Sequence, residues 1–492
     1  MASGLPWHTF EARPPGPALV VLGDGLGHAS LTLDTDVFDD PARVAALVAG
    51  RSLVRVDGER RPDLESRLVP AHSRWPVVLL LDSDGSFTAP PSGTRGLEHL
   101  FRGASPSPAP PSPSVGTLLD KHARIGVPTL GRAPQAPLFA LLLDHPDPRA
   151  RPTALAMLMA MAKSGIRDQL DGGFHRAASD EAWVVPCFEK RAIDQAALLP
   201  LYLADPSLYP IARGIVGYLE RRLLVGDQVL LGEAADLGPY DDASHYTWTT
   251  SELAAVLDGD LRHLAERTYD IYPRGELRSD PTRNVLFVAA EPAMVAHELG
   301  GDIGDLAAML DEARQRMLIA RDRRPRPPLD GPAPAAVVAQ LSLALRAAAV
   351  PLGRPDLAER AQQLAAQLAA QPDTPGWLVD HASIGLALVA AGLHDAASQR
   401  VQRILADHDD GALGFRDLPE PLLHQLHHPV ADRVLPSANA LVGQLLVALN
   451  TPTSLRRAQD LARDLAPRAA QAGVHGAGLL HLQLLTGTIP DL

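Results

Sequence analysis

From residue 115 onward the sequence is built of apolar-periodic Ala/Leu segments, and this repetition constrains the fold more than any motif. The segments fall at 153–170, 191–204, 208–224, 251–257, 302–320, 334–349, 358–370, 378–391, 396–406, 437–449, 455–470 and 476–485. Pro, Gly and Asp separate them, the residues that stop one helix and start the next. About a dozen helices joined this way imply stacked antiparallel helical hairpins. No strict period of a solenoid is present, so a closed ring of helix pairs is expected rather than an open superhelix.

The first hundred residues differ. Residues 18–22 (ALVVL) are a compact apolar run, 42–49 a short helix, 52–56 alternate toward a second strand, and 77–81 (VVLLL) are a third. Asp82-Ser83-Asp84-Gly85 is a tight-turn sequence that returns the chain through 86–88 as a hairpin, and a helix over 95–101 closes the segment. This is the order of a small α/β sandwich. Residues 105–114 (SPSPAPPSPS) read as a semi-rigid Pro/Ser linker, so domains are expected at 1–104 and 115–492.

A chain of 492 residues exceeds one ordinary core. Its net charge of −13, with no basic run, argues against nucleic acid or an anionic membrane surface as the main partner. No stretch approaches the roughly 20 apolar residues of a membrane span, and no secretory leader is read, so a soluble cytoplasmic protein is expected. A single cysteine, Cys187, excludes an internal disulfide and a thiolate metal cluster. No cofactor is assigned.

Chemistry concentrates at 168–199, a stretch rich in charged, aromatic and Gly residues. Gly172-Gly173 is expected to end a helix, a loop carries His175, Arg176, Asp180 and Trp183, and Pro186 is expected to open the next helix. His175 can act as a general base, or be a loop histidine bonded to Asp180 or a carbonyl. Arg176 can orient an anionic or carbonyl oxygen, or lock the loop on Asp171. Glu189 and Asp194, five apart, do not share a helix face; Glu189, nearer the helix start, is the better catalytic candidate. Glycoside hydrolysis needs a second carboxylate, and Asp168, Asp180 and Asp380 are all open. Glu189 and Lys190 read equally well as a structural ion pair. Cys187 is either a nucleophile beside His175 or a small buried residue, and the second reading is preferred. Tyr240, Tyr246, Trp248, Tyr269 and Tyr272, between 232 and 287, either stack on sugar faces or pack a hairpin on the helices. His424, His427 and His428 have a His-x-x-His spacing but no acidic ligand fixed beside them, and no metal site is assigned.

Gly172, Gly173, Phe174, His175, Arg176, Asp180, Trp183, Val185, Pro186, Phe188, Glu189, Lys190, Asp194 and Ala196 stand at matching places in the pattern of the spermatogenesis-associated protein 20 family, which this stretch resembles. Tyr246-Thr247-Trp248-Thr249, Trp377-Leu378-Val379-Asp380, Gly414-Phe415-Arg416-Asp417 and Pro436-Ser437-Ala438-Asn439 extend the resemblance along the chain, as do Asp57 to Asp63 and Trp75-Pro76 near its start. The resemblance implies a thioredoxin-like domain, with Pro76 in the place of the cis-proline before the third strand. A six-hairpin glycosidase-like (α/α)6 toroid is implied to follow it. The chain also departs from the family pattern. Residues 23–30 (GDGLGHAS) replace the family's cysteine pair, so thiol–disulfide exchange is not expected. Cys187 replaces a histidine, and Pro134-Gln135-Ala136-Pro137, Arg191 to Gln195 and Asp330-Gly331 replace other signature residues. The implied toroid is similar in fold to sugar epimerases and several glycoside-active enzymes, and with the polar central loop it gives the expectation of a carbohydrate-active protein, epimerase/isomerase-like or glycoside hydrolase-like. His175 and Glu189 would exchange protons while Arg176, Asp180, Trp183, Trp248 and Asp380 hold a sugar-like molecule. The alternative is a non-catalytic scaffold or binding protein derived from such an enzyme and meeting a protein partner.

Overall fold

Side-chain alternation divides the first strands between two cores. The computed structural model describes residues 5–38, 44–45, 48, 50–69, 75–88, 113–125, 131–299, 302–371 and 376–488. Strands β1 (Trp7–His8), β2 (Ala18–Gly23), β3 (Ser52–Asp57), β4 (Val77–Leu81) and β5 (Phe87–Thr88) form one mixed sheet in the order β1-β3-β2-β4-β5. β1 and β2 run parallel to β3, β4 pairs antiparallel to β2, and β5 folds back on β4. Ala18, Val20 and Leu22 enter a core with Leu64 and Leu68 of α2 (Pro62–Leu68). Leu19 and Val21 enter another with Leu33 of α1 (His28–Leu33) and Phe38. A strand covered on both faces needs an unbroken apolar run, which is why ALVVL reads as it does. This topology, with a cis Trp75-Pro76 bond ahead of β4, is consistent with a thioredoxin-like domain. Most of the helix expected at 42–49, the helix at 95–101, and all but the last two residues of the linker lie outside the described residues.

The rest of the chain is mostly helical, beginning with α3 (Val115–Ile125) and α4 (Ala136–Asp144). The chain divides into two compact units. One comprises Met1–Arg124, Gln135–Arg151 and Pro334–Leu492; the other comprises Ile125–Pro134 and Pro152–Ala333. No helix among the described residues is long and apolar enough to cross a membrane.

In the second unit α5 (Ala150–Lys163) stops short of the expected residue 170. A Cβ on Gly165 would lie 1.9 Å from the Val184 carbonyl oxygen, so the chain can cross there only as glycine. The following segment is extended: β6 (Ala177–Ala178) pairs with β7 (Pro186–Cys187), and β8 (Lys190–Arg191) pairs with β11 (Gly232–Glu233). Pro186 therefore opens no helix. The Arg176 amide donates to the Glu189 carbonyl at 2.9 Å, committing that backbone to cross-strand pairing, and α6 (Ala192–Leu198) begins only afterwards. Next come α7 (Tyr209–Tyr218), a hairpin of β9 (Leu224–Val225) and β10 (Gln228–Val229), α8 (Thr250–Val256), α9 (Gly259–Tyr269), α10 (Pro292–Leu299) and α11 (Ile303–Arg321). A reciprocal cap between Thr249 and Glu252 starts α8. Trp248, Leu253, Leu264, Tyr269 and Met317 form the core under these helices.

In the first unit the C-terminal helices are α12 (Ala335–Ala349), α13 (Pro355–Ala369), α14 (Leu378–Ala390), α15 (His394–Asp407), α16 (Ala438–Leu449), α17 (Pro452–Ala472) and α18 (Ala477–Thr486). α12 packs on α13 and α14, α14 on α15 and α16, and α16 on α17 and α18. α12, α14 and α16 are buried along most of their length, whereas α13, α15 and α17 bury one stripe. Packed helical pairs result, each with one largely buried and one striped helix, as the Ala/Leu periodicity implies.

The sheet joins these helices through α2. Arg67 Nε donates to Asp417 at 2.8 Å, and Arg67 Nη1 reaches the carbonyls of Leu422 (3.0 Å) and Gln425 (2.8 Å). Arg433 reaches back to Glu65 at 3.2 Å. Burial pushes the Asp417 carboxyl above its usual range even against Arg67. Removing one partner strands the other charge, so Asp417→Asn is expected to cost about 3 kcal/mol in urea unfolding. The Arg67→Met/Asp417→Leu pair is expected to recover most of that loss, and a loss below about 1 kcal/mol would contradict a buried pair at this junction.

Candidate functional site

The loop after α5 is fixed before any charge is considered. Gly172 and Gly173 have φ of +75° and +73°. A Cβ on Gly172 would lie 2.5 Å from the Gly214 carbonyl oxygen, and one on Gly173 would lie 2.7 Å from the Tyr218 ring, so the loop lies flush on α7. The Gln195 side chain clamps Phe174, accepting from its amide at 2.8 Å and donating to its carbonyl at 2.7 Å. The His175 amide donates to the Ile166 carbonyl at 2.8 Å, which sets the histidine in place.

Asp168 is the centre of the charge cluster beneath that loop. Lys190 Nζ donates to its Oδ2 at 2.6 Å and to the Gly172 carbonyl at 3.2 Å. Arg321 Nη1 donates to its Oδ1 at 3.0 Å, while Arg321 Nη2 stands 3.9 Å from Asp171. Burial would raise the Asp168 carboxyl, but Arg321 and Lys190 hold it well below the usual carboxylate range. Lys190, 1% exposed, lies 4.4 Å from the Tyr218 ring centroid and 5.4 Å from that of Tyr246, so aromatic faces replace part of its lost hydration. Tyr218 donates to Glu233 at 3.1 Å, and Arg222 Nε donates to the same carboxylate at 3.1 Å.

Three rings complete the cluster. Tyr246 stacks on Phe188 at 5.6 Å, and His175 stands edge-on to Tyr246 at 5.0 Å and to Phe188 at 5.4 Å. The Tyr246 hydroxyl is buried with no hydrogen-bond partner among the described residues. Burial first, then Glu233 and Asp168, push its phenol well above the usual range, so it remains a proton donor. His175 Nδ1 lies 2.7 Å from the Phe188 carbonyl, an arrangement that puts the ring proton on Nδ1 and leaves Nε2 with its lone pair. Burial, reinforced by Lys190, lowers the imidazole to about 3, so it is neutral.

Glu189 is buried but falls on the other side of the extended segment, where its carboxylate stands 3.8 Å from Arg176. Side chains alternate along such a segment, so Phe188 and Lys190 share the His175 and Tyr246 side while Glu189 does not. Lys190 pairs with Asp168, not with its neighbour Glu189. Asp180 accepts from the amides of Ala182 (2.8 Å), Val184 (3.2 Å) and Val185 (2.7 Å), closing the loop. Trp183, at φ 59°, donates its indole N–H to the Gly131 carbonyl at 2.8 Å. Trp248 is fully buried, with the Arg324 guanidinium 4.0 Å from its ring centroid. Tyr240 is 92% exposed. Asp194 pairs with Arg191 at 2.7 Å. Cys187 is half-buried in β7.

Two further expectations fall in the other unit. Asp380 accepts from the Ala336 amide at 3.0 Å, and burial raises its carboxyl to about 6. His428 Nε2 lies 2.8 Å from Asp410, burial, Arg67 and the neighbouring His428 lower His427 to about 4, and His424 is exposed at φ 60°. Sequence reading missed Arg321, Tyr218 and Glu233 altogether and took Tyr246 only as an aromatic. Arg321 ends an Ala/Leu-periodic helix and is followed by Asp322-Arg323-Arg324, a context in which an arginine reads as solvated.

The neutral His175 makes the fold acid-sensitive. Its folded value, about 3, is depressed from the ordinary 6.5, so the unfolded chain takes up the proton first as pH falls. Stability is full above about 6.5 and is lost as pH falls toward 3, with His245 (about 3) and His427 (about 4) adding to the loss. Melting temperature is expected to fall from pH 7 to pH 5, less steeply in His175→Asn; parallel slopes would contradict a neutral buried His175.

No protein-family model matches the chain. It is 30% identical to spermatogenesis-associated protein 20 of Homo sapiens over 228 residues, which are 39% of this chain and 29% of that protein. The Mus musculus protein of the same name is 29% identical over 225 residues, 39% of this chain and 28% of that protein. An uncharacterised Caenorhabditis elegans protein is 24% identical over 404 residues, 64% of this chain and 54% of that protein. The chain thus spans less than a third of the two mammalian relatives and about half of the nematode one.

Proposed function

Taking the chain as a divergent member of the spermatogenesis-associated protein 20 family, we propose that it is a carbohydrate-active protein of epimerase or isomerase type acting on a sugar-like molecule. In this reading it is cytoplasmic. Residues 1–104 are a thioredoxin-like domain that, lacking any cysteine, performs no thiol–disulfide exchange; 105–114 are a linker; and 115–492 close into a six-hairpin (α/α)6 toroid. One observation carries the reading: a neutral imidazole and an unsatisfied buried phenol stand together beside Lys190 and Arg321. Proton transfer beside a sugar carbonyl needs an acceptor, a donor and positive charge where the oxyanion develops. His175 Nε2 and the Tyr246 hydroxyl offer an acceptor and a donor by position beside the two cations; because burial leaves the imidazole a weak base (about 3) and the phenol a weak acid, the reading requires the bound molecule to bring both back toward neutrality, and Arg176 with Glu189 supports the loop from its other side. Asp180 and Trp183 fix the loop, Trp248 belongs to the helical core, and Asp380 is not required. Both Asp168 oxygens are engaged by cations, which favours isomerisation over hydrolysis by a carboxylate pair.

A second reading, a non-catalytic scaffold meeting a protein partner, is favoured by burial: His175 is 2% exposed and Glu189 4%. The two part on ligand binding. Monosaccharides, disaccharides, sugar phosphates and amino sugars are screened by thermal shift, since a ligand of the folded state raises the melting temperature. The carbohydrate reading expects a hit that is lost in His175→Ala, Glu189→Ala and Tyr246→Phe proteins that retain their circular dichroism. No hit, or a hit indifferent to all three changes, would leave the scaffold.

A further inference from the structure

A second feature is independent of the carbohydrate reading. Arg167 pairs with Phe174 in an antiparallel bridge directly before Asp168, but its side chain meets other neighbours. Nη1 donates to the Gln169 side-chain oxygen at 3.3 Å. The Gln169 amide nitrogen donates to the carbonyls of Ala162 (3.2 Å) and Ser164 (2.9 Å), which fixes that oxygen toward the arginine. Nη2 lies beside α7, where a Cβ on Gly214 would stand 3.7 Å from it. Arg314 of α11 approaches the same place: its Nε donates to the buried Tyr269 hydroxyl at 2.6 Å. Burial raises that phenol, and Arg314 and then Arg167 draw it back.

Other buried arginines of this unit find carboxylates: Arg191 meets Asp194, Arg222 meets Glu233 and Arg321 meets Asp168. Arg167 forms no ion pair among the described residues, and its bonded partner is the neutral Gln169. Burial, and then the like charge of Arg314, lower its guanidinium from the usual range. Nε is enclosed without a hydrogen-bond partner, whereas Nη2, also unbonded among the described residues, keeps accessible surface on a half-buried side chain. Arg314 Nη2 is likewise unbonded there, on a side chain 32% exposed, while its Nη1 holds Asp311 at 2.9 Å. A cation taken out of water is stable when paired, so a reachable guanidinium edge beside a second cation points to an anion from outside the chain. Guanidinium donors match phosphate oxygens, and a dianion offsets two positive charges where a carboxylate offsets one.

We infer that Arg167 and Arg314 form a binding site for a phosphate-type oxyanion, held by the Nη2 atoms of both. The test is calorimetric titration and thermal shift of the full chain with inorganic phosphate, phenyl phosphate and acetate, against chloride at matched ionic strength. Phosphate is expected to bind with a Kd of about 1 mM or tighter, and acetate about tenfold or more weakly. Arg167→Gln and Arg314→Gln are each expected to weaken phosphate about tenfold or more. In phosphate-free buffer Arg167→Gln is expected to melt no lower than the parent chain, because it removes an unpaired cation. Phenyl phosphate separates two sources of the group: tighter binding than inorganic phosphate assigns the site to an organic phosphate, and equal or weaker binding assigns it to the free anion. A phosphate response no larger than that of chloride, equal binding of phosphate and acetate, affinity unchanged in either variant, or the same melting deficit of Arg167→Gln with and without phosphate would each overturn the assignment.

Discussion

The ion pairs that converge on Asp168 hold the second unit together. Asp168 sits in the loop after α5 and Arg321 at the end of α11, so their 3.0 Å contact joins residues 153 positions apart near the two ends of that unit. Lys190 adds the extended segment to the same carboxylate. Groups as deeply buried as these are stable only when paired and further hydrogen-bonded, and the Gly172 carbonyl and the Tyr218 and Tyr246 rings supply what water no longer does. The neutral state of His175 and the protonated state of Tyr246 follow from the same enclosure.

That dependence bears on function. On the proposed reading, the cluster would serve proton transfer by setting an unsatisfied phenol and a lone-pair imidazole against two cations. It is also stiff, because each charged member that gives way strands another. Gly165, Gly172 and Gly173 let the loop lie against its neighbours, and Gln195 holds Phe174 from both backbone directions. The first unit uses the same device at lower density, with Arg67 and Asp417 joining the sheet to the helices.

Much of the fold was legible in the sequence. The run 18–22, the Asp-Ser-Asp-Gly turn and Pro76 marked the sheet, and Ala/Leu periodicity marked the helical hairpins, because both signals are local. The central stretch was recognisable as a site by composition, but its internal arrangement was not. Pro186 reads as a helix start, yet cross-strand hydrogen bonds between 176 and 189 make it a strand residue. Glu189 and Lys190 read as a pair, yet extended backbone turns consecutive side chains to opposite sides and gives Lys190 to Asp168, 22 residues away. Arg321 could not be anticipated, since its partner is fixed by the packing of α11 and not by any spacing.

The most direct measurement is a double-mutant cycle on Asp168→Asn and Lys190→Met, read by urea unfolding of the full chain. If this ion pair organises the unit, the two losses are strongly non-additive, with a coupling of about 2 kcal/mol or more. Losses that add to within about 0.5 kcal/mol would mean that Asp168 and Lys190 act independently, and the central role given to their pairing would be wrong.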